Sequence, residues 1–165
     1  MTFAETTHSL FVTYHVFCVA DGDHWPAGDI PFEGNGLVHP FPGGAYVFTG
    51  IHTGPVNIRI RRLSGAPVDL DLGEWEEIAE VSVEPRRGTL RVRSLEHGDD
   101  GPVIYPQSVV AAQRVRVYAK GRDTASDESV ETAVEDYLIE IWQEEHSGEV
   151  VHRQTDEYGA ELRAM

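Results

Sequence analysis

Residues 114–142, Arg-Val-Arg-Val-Tyr-Ala-Lys-Gly-Arg-Asp-Thr-Ala-Ser-Asp-Glu-Ser-Val-Glu-Thr-Ala-Val-Glu-Asp-Tyr-Leu-Ile-Glu-Ile-Trp, decide the fold. Val115 and Val117 alternate with Arg114 and Arg116, the period of a strand with one apolar face. Tyr137–Trp142 gathers the aromatic and β-branched residues that strands favour. An acidic segment lies between them. The stretch reads as a β-hairpin with its charge at the tip. Val130, Val134, Tyr137, Leu138 and Ile141 also fit a helical stripe, so a short helical turn near 128–136 is compatible with this reading.

The rest of the chain repeats the theme. Ser9–Val19 is rich in β-branched and aromatic residues and has no strongly polar face, so it reads as a strand covered on both sides. Residues 20–44 are crowded with Gly, Pro and Asp and read as a long loop, with Gly36–His39 as a short strand inside it. Ala45–Ile51 and Pro55–Leu63 read as a hairpin around His52-Thr53-Gly54. Trp75–Glu84 and Thr89–Leu95 read as another around Pro85-Arg86-Arg87-Gly88, with Glu80 and Glu84 placed to pair with Arg91 and Arg93. Residues 96–101 form a polar turn, 103–105 a short strand, and 109–119 the first arm of the opening hairpin. Many short strands with frequent turn signals predict an all-β fold, a single-domain antiparallel β-sandwich over residues 1–143. Residues 144–165 read as an acidic, partly flexible tail, with Glu149–His152 as a small edge strand.

Charge is the most unusual bulk property. The 165 residues carry a formal net charge of −15. Residues 1–58 contain no Lys or Arg, and 123–165 hold thirteen acids against two arginines. Such a field repels phosphate backbones and disfavours direct nucleic-acid binding. It attracts basic proteins and speeds their encounter. No apolar run reaches the roughly 18–20 residues of a membrane helix. The N-terminal residues lack a basic leader, and Cys18 has no second cysteine to pair with. These features place the chain in the cytoplasm, away from membranes.

No catalytic residue set emerges. The eight histidines show no H-x-H or H-E-x-x-H spacing. His39 and His52 flank a glycine-rich segment in a loosely cupin-like way, so a metal-dependent or small-ligand barrel stands as an alternative. Asp21-Gly22-Asp23 with Asp29 offers oxygen ligands, but position twelve of a calcium loop falls on Phe32 rather than Glu. None of the serines sits in a G-x-S-x-G elbow. No metal and no cofactor is therefore expected. The remaining candidate is the acidic segment itself, with Asp123, Asp127, Glu128, Glu131, Glu135 and Asp136 as a partner-binding surface.

Thr13-Tyr14-His15-Val16-Phe17 resembles the S-Y-H-x-F strand near the start of competence protein J, the DNA-entry nuclease inhibitor family. Looser similarity extends through Val56–Leu63 and the Arg114–Trp142 stretch, in pattern over most of residues 10–142. The resemblance implies a β-sandwich and nuclease inhibition, and it supplies no residue-level inhibitory positions. Together these features predict a non-catalytic acidic binding or inhibitor protein whose partner is basic, such as a nuclease. A self-associating protein that pairs exposed sheet edges, forming a homo-oligomer, is the other alternative.

Overall fold

The computed structural model describes residues 2–21, 25–70, 72–95, 100–106 and 111–165. The central residues of the calcium candidate (Gly22, Asp23), His24, Asp71, residues 96–99 of the polar turn with His97, and residues 107–110, which include the first two of the 109–119 strand, lie outside the described residues; the last two residues of that turn, 100 and 101, open the strand Asp100–Pro106.

Among the described residues eleven strands and one helix follow in chain order: β1 (Thr2–Val12), β2 (Val16–Ala20), β3 (Val38–Phe41), β4 (Gly44–Phe48), β5 (Gly54–Leu63), β6 (Glu77–Val83), β7 (Thr89–Ser94), β8 (Asp100–Pro106), β9 (Gln113–Lys120), β10 (Asp136–Gln143), β11 (Val150–Gln154) and α1 (Glu157–Arg163). A six-stranded sheet runs β1-β5-β10-β9-β6-β11 and a five-stranded sheet runs β3-β4-β2-β7-β8. The fold is all-β. Every strand pair is antiparallel except β5–β10, which is parallel. No helix among the described residues is long and apolar enough to cross a membrane.

The hairpin read from residues 114–142 forms as expected, with Val117 opposite Ile139 and Val115 opposite Ile141. It supplies the two middle strands of the larger sheet. Their alternate residues Val115, Val117, Tyr137, Ile139 and Ile141 meet Phe17, Val19, Val47 and Val92 of the facing sheet in one core. Burying a side chain of this size contributes about 1.5–3 kcal/mol, so the alternation fixes which face of each strand turns inward.

One expected strand and two expected hairpins are replaced by crossings between sheets. The 9–19 run breaks at Tyr14 and His15, whose φ values of 54° and 63° turn the chain from β1 in one sheet into β2 in the other. β4 and β5 are not a hairpin, and neither are β6 and β7. Glu80 and Glu84 are therefore not set across a hairpin from Arg91 and Arg93. Glu80 instead accepts from Arg114 Nε at 2.6 Å and Arg116 Nε at 3.0 Å on the neighbouring β9. A sandwich corner and a hairpin use the same turn residues, which is why the sequence pattern does not separate them.

The C-terminal residues also differ from expectation. The short edge strand is present as β11, paired to β6. The residues after it do not trail loosely but form α1, with Tyr158 and Leu162 buried. These two side chains pack with Val16, Cys18, Tyr46 and Phe48 on the outer face of the smaller sheet. Phe32, Trp25 and Ile30 of the long 20–44 loop complete that layer. Arg114 and Arg116, read as outward-facing, do lie on the outer face of their sheet but are only 1% and 7% exposed. Arg114 donates to the carbonyls of Ser147 (3.0 Å) and Gly148 (2.7 Å), which draws the C-terminal segment across it. Burial works to raise the Glu80 carboxyl, but the bonds from Arg114, His152 and Arg116 outweigh it and hold Glu80 below the usual carboxylate range.

Candidate protein-interaction surface

The acidic segment connects the ends of β9 and β10, so both of its roots are set in the middle of the larger sheet. No helical turn forms at 128–135. The segment runs alongside residues 50–53: Asp127 N–H donates to the Gly50 carbonyl (2.8 Å), His52 N–H to the Glu128 carbonyl (2.8 Å) and Val130 N–H to the Thr53 carbonyl (2.9 Å). Main-chain bonding to a neighbouring segment satisfies donors and acceptors that a helix would have used internally. The approach is close. A Cβ on Gly50 would fall 2.0 Å from the Arg122 carbonyl oxygen.

Two buried polar clusters brace the ends. At the first, Arg122 has no exposed surface. It makes a bidentate pair with Asp156, Nε to Oδ2 at 2.7 Å and Nη2 to Oδ1 at 2.9 Å. Its Nη1 donates to the carbonyls of Gly36 (2.9 Å) and Phe48 (3.1 Å), and its guanidinium lies 5.0 Å from the centre of the Tyr158 ring. Asp156 also caps α1 by accepting from Gly159 N–H (2.8 Å). Glu77 completes the cluster by accepting from Arg163 Nη1 at 2.9 Å. Burial, then the charge of Asp156, pushes the Glu77 carboxyl above its usual range.

At the second, Glu135 is fully buried. Its carboxylate accepts from Gly50 N–H (3.0 Å), Ile51 N–H (2.6 Å) and the Tyr137 hydroxyl (2.6 Å). Burial pushes this carboxyl up despite those donors. Glu135→Gln should cost about 1–3 kcal/mol, because an amide nitrogen would then face backbone N–H donors. The pH dependence carries its own sign. The folded chain holds the Glu135 proton more tightly than the unfolded chain, so this group lowers stability as pH rises from 4.5 through the raised value. Urea unfolding of wild type and Glu135→Gln across that window should show this falling contribution absent from the variant. Identical pH slopes would contradict it.

The six candidate carboxylates therefore divide. Glu135 is a brace rather than a contact. Asp123 is exposed, yet its oxygens accept from the N–H groups of Glu157 and Tyr158 at 2.9 Å, pinning the start of α1. Asp136 is half-buried and accepts from Asn57 Nδ2 (2.9 Å). Asp127, Glu128 and Glu131 point to the exterior. Asp127 sits at φ 61° with Oδ1 2.8 Å from His15 Nε2.

That last contact brings in residues the charge pattern missed. His15 Nδ1 lies 3.1 Å from the Thr49 carbonyl oxygen, and the His15 ring stacks on Tyr158 at 5.7 Å. Its own N–H and C=O bond to His52 and Thr49. Two consecutive non-glycine residues in the left-handed region cost roughly 1–2 kcal/mol each, and these contacts hold them there. The turn displays Tyr14, 52% exposed, edge-on to the His52 ring at 5.2 Å. The surface thus combines one fixed aromatic with three outward carboxylates. Tyr14 was visible in the sequence only as part of the Thr13–Phe17 resemblance.

The other candidates lie elsewhere. His39 is on β3 opposite Tyr46, while His52 is bound to Thr53 Oγ1 (2.7 Å) beside Tyr14. Asp21 accepts from the N–H groups of Arg86 and Arg87. A cleft of about 750 Å³ lined by Pro40, Phe41, Pro85, Arg86 and His146 lies beyond Ser82, which pairs with Arg114 at the end of β9 remote from the acidic segment.

Fold and surface define a two-sheet β-sandwich that carries a braced acidic loop at one end. A solved structure has the same architecture: the crystal structure of ComJ, inhibitor of the DNA degrading activity of NucA, from Bacillus subtilis, aligns with a TM-score of 0.59 over 87% of this chain and 99% of that one, at 13% identity. The fold is ComJ-like, as the Thr13–Phe17 and Arg114–Trp142 resemblance implied. A second structure, described as crocagin biosynthetic gene J, aligns over 86% of this chain and 99% of that one at 15% identity and a TM-score of 0.49. No family model matches the chain, and no curated protein matches it in sequence.

Proposed function

We propose that this chain is a non-catalytic binding or inhibitor protein whose acidic loop docks on a basic protein, and that the partner is a nuclease. The observation that carries the reading is the division of labour in residues 121–136. Arg122 and Glu135 are buried to brace the loop, while Asp127, Glu128 and Glu131 stay exposed beside Tyr14. A braced loop meets its partner with little ordering cost, which is what turns contacts into affinity. Nuclease grooves are cationic because they hold phosphates, and spaced carboxylates offer the same charge. Tyr14 supplies the aromatic anchor that interface centres favour. The ComJ-like fold supports a nuclease as the partner class.

The test is affinity purification of the tagged chain from its own cell, followed by a DNA-degradation assay. A basic nuclease should be retained at low salt and released near 1 M salt, where the screening length falls to roughly 3 Å. Its DNA-degrading activity should appear on release and disappear when the purified chain is added back. A nuclease that stays fully active with the chain in excess would overturn the inhibitor reading.

A further inference from the structure

Among the described residues four strands form the edges of the two sheets, and three of them are guarded. β3 has four residues and contains Pro40. β8 contains Pro102 and Pro106, and its register with β7 slips twice. β11 has five residues, a register shift and Arg153. Short length, proline, charge and bulges are the devices that keep sheet edges from pairing with other chains.

β1 lacks them over most of its eleven residues. Its pairing with β5 is continuous from Ala4 to Val12. Residues Glu5–Ser9 contain no proline and no lysine, and the one charge, Glu5, is paired with Arg61 (2.9 Å) and Arg59 (3.7 Å) of β5. Ala4–Thr7 and Ser9 are exposed. Among the described residues no strand covers the outer edge of β1. Among the described residues His8 Nε2 is buried without a hydrogen-bond partner.

We propose that the edge of β1 pairs with β1 of a second copy of this chain, antiparallel about a dyad at Thr7, joining two six-stranded sheets into one. The segment is complementary to itself in this register. Glu5 falls opposite the second copy's Ser9, Thr6 opposite its His8, and Thr7 opposite its Thr7, so no like charges face each other. Thr6, a hydroxyl residue, thus meets the strand position of His8. Charge also selects this edge for self-association. The acidic loop lies by Gly54, which pairs with Val12, five residues or about 17 Å along β1 from the dyad. The dyad places the two loops at opposite ends of the joined edge, and both stay open to partners. A symmetric contact of this kind is isologous and closes at two copies.

Sedimentation of the purified chain tests it. Strand-edge contacts are small, so the mass should rise from 18.3 kDa toward twice that value at concentrations on the order of 100 µM. Thr7→Lys and Thr7→Glu each place like charges across the dyad and should stay monomeric, while an equal mixture of the two should form the dimer again. Ser9→Lys, facing Glu5 of the second copy, should tighten the dimer several-fold. Circular dichroism checks that each variant keeps its strands; Ser9→Lys decides the matter if either Thr7 variant does not fold. Wild type at 18.3 kDa throughout, dimers in the single Thr7 variants, or a weaker Ser9→Lys dimer would each overturn the proposal.

Discussion

Arg122→Ala is expected to destabilise the protein by about 3–5 kcal/mol, the usual result of removing one partner from a buried ion pair. The size follows from what stays behind. Asp156 and Glu77 are 3% and 1% exposed, and without the guanidinium they are two buried acids with Arg163 alone as a counter-charge. The carbonyls of Gly36 and Phe48 lose the Arg122 guanidinium as a donor as well. Arg122→Lys should recover only part of the loss, because one ammonium cannot reproduce the bidentate fork and still reach both carbonyls. The damage should centre on α1, whose N-cap Asp156 and buried Tyr158 both contact Arg122. Urea unfolding gives the magnitude, and limited proteolysis should show cleavage after Gln154 preceding global unfolding. A variant within 1 kcal/mol of wild type would mean that the cluster does not hold the C-terminal segment.

Glu128→Lys with Glu131→Lys is expected to leave stability within about 0.5 kcal/mol of wild type, as exposed substitutions usually do. It should weaken the proposed complex roughly 10–100-fold at low salt, chiefly through slower association. Both side chains are exposed, and Glu128 is held through its carbonyl rather than its carboxylate. The reversal therefore changes the field of the loop without disturbing its brace. Raising salt should shrink the difference, since exposed charges are screened. Tyr14→Ala should act through faster dissociation instead, by loss of a packed aromatic. Calorimetry and stopped-flow association separate the two. A doubly reversed variant that binds as wild type would remove the acidic loop from the interface.

The two sheets were legible in the sequence wherever a strand alternates cleanly. Val115/Val117 against Tyr137/Ile139/Ile141 is the best case, and those residues do form the core between the sheets. What the sequence hid was where the chain changes sheet. At Tyr14-His15, His52–Gly54 and Pro85–Gly88 the turn chemistry is the same whether the next strand pairs locally or crosses over. The tail was misread for a related reason. Residues 144–165 are polar by composition, and their hold on the sandwich depends on contacts of Arg114 with Gly148 and of Arg122 with Asp156, each spanning 34 residues of sequence.

The candidate surface was legible as a charge run but not in its internal division. Glu135 differs from Glu131 only by meeting the N–H groups of Gly50 and Ile51, a contact across more than 80 residues. Helical spacing around Val130 and Val134 pointed to a turn of helix, yet both residues pack against the core from a segment bonded to residues 50–53. Main-chain partners elsewhere in the fold outweighed local periodicity there.

Hydrogen exchange on the salt-sensitive complex tests the central claim most directly. Binding should slow exchange at residues 126–131, around Tyr14 and at His52, and leave the cleft by Pro40 and Arg86 unchanged. Protection confined to that cleft, with residues 126–131 exchanging as in the free protein, would contradict the account.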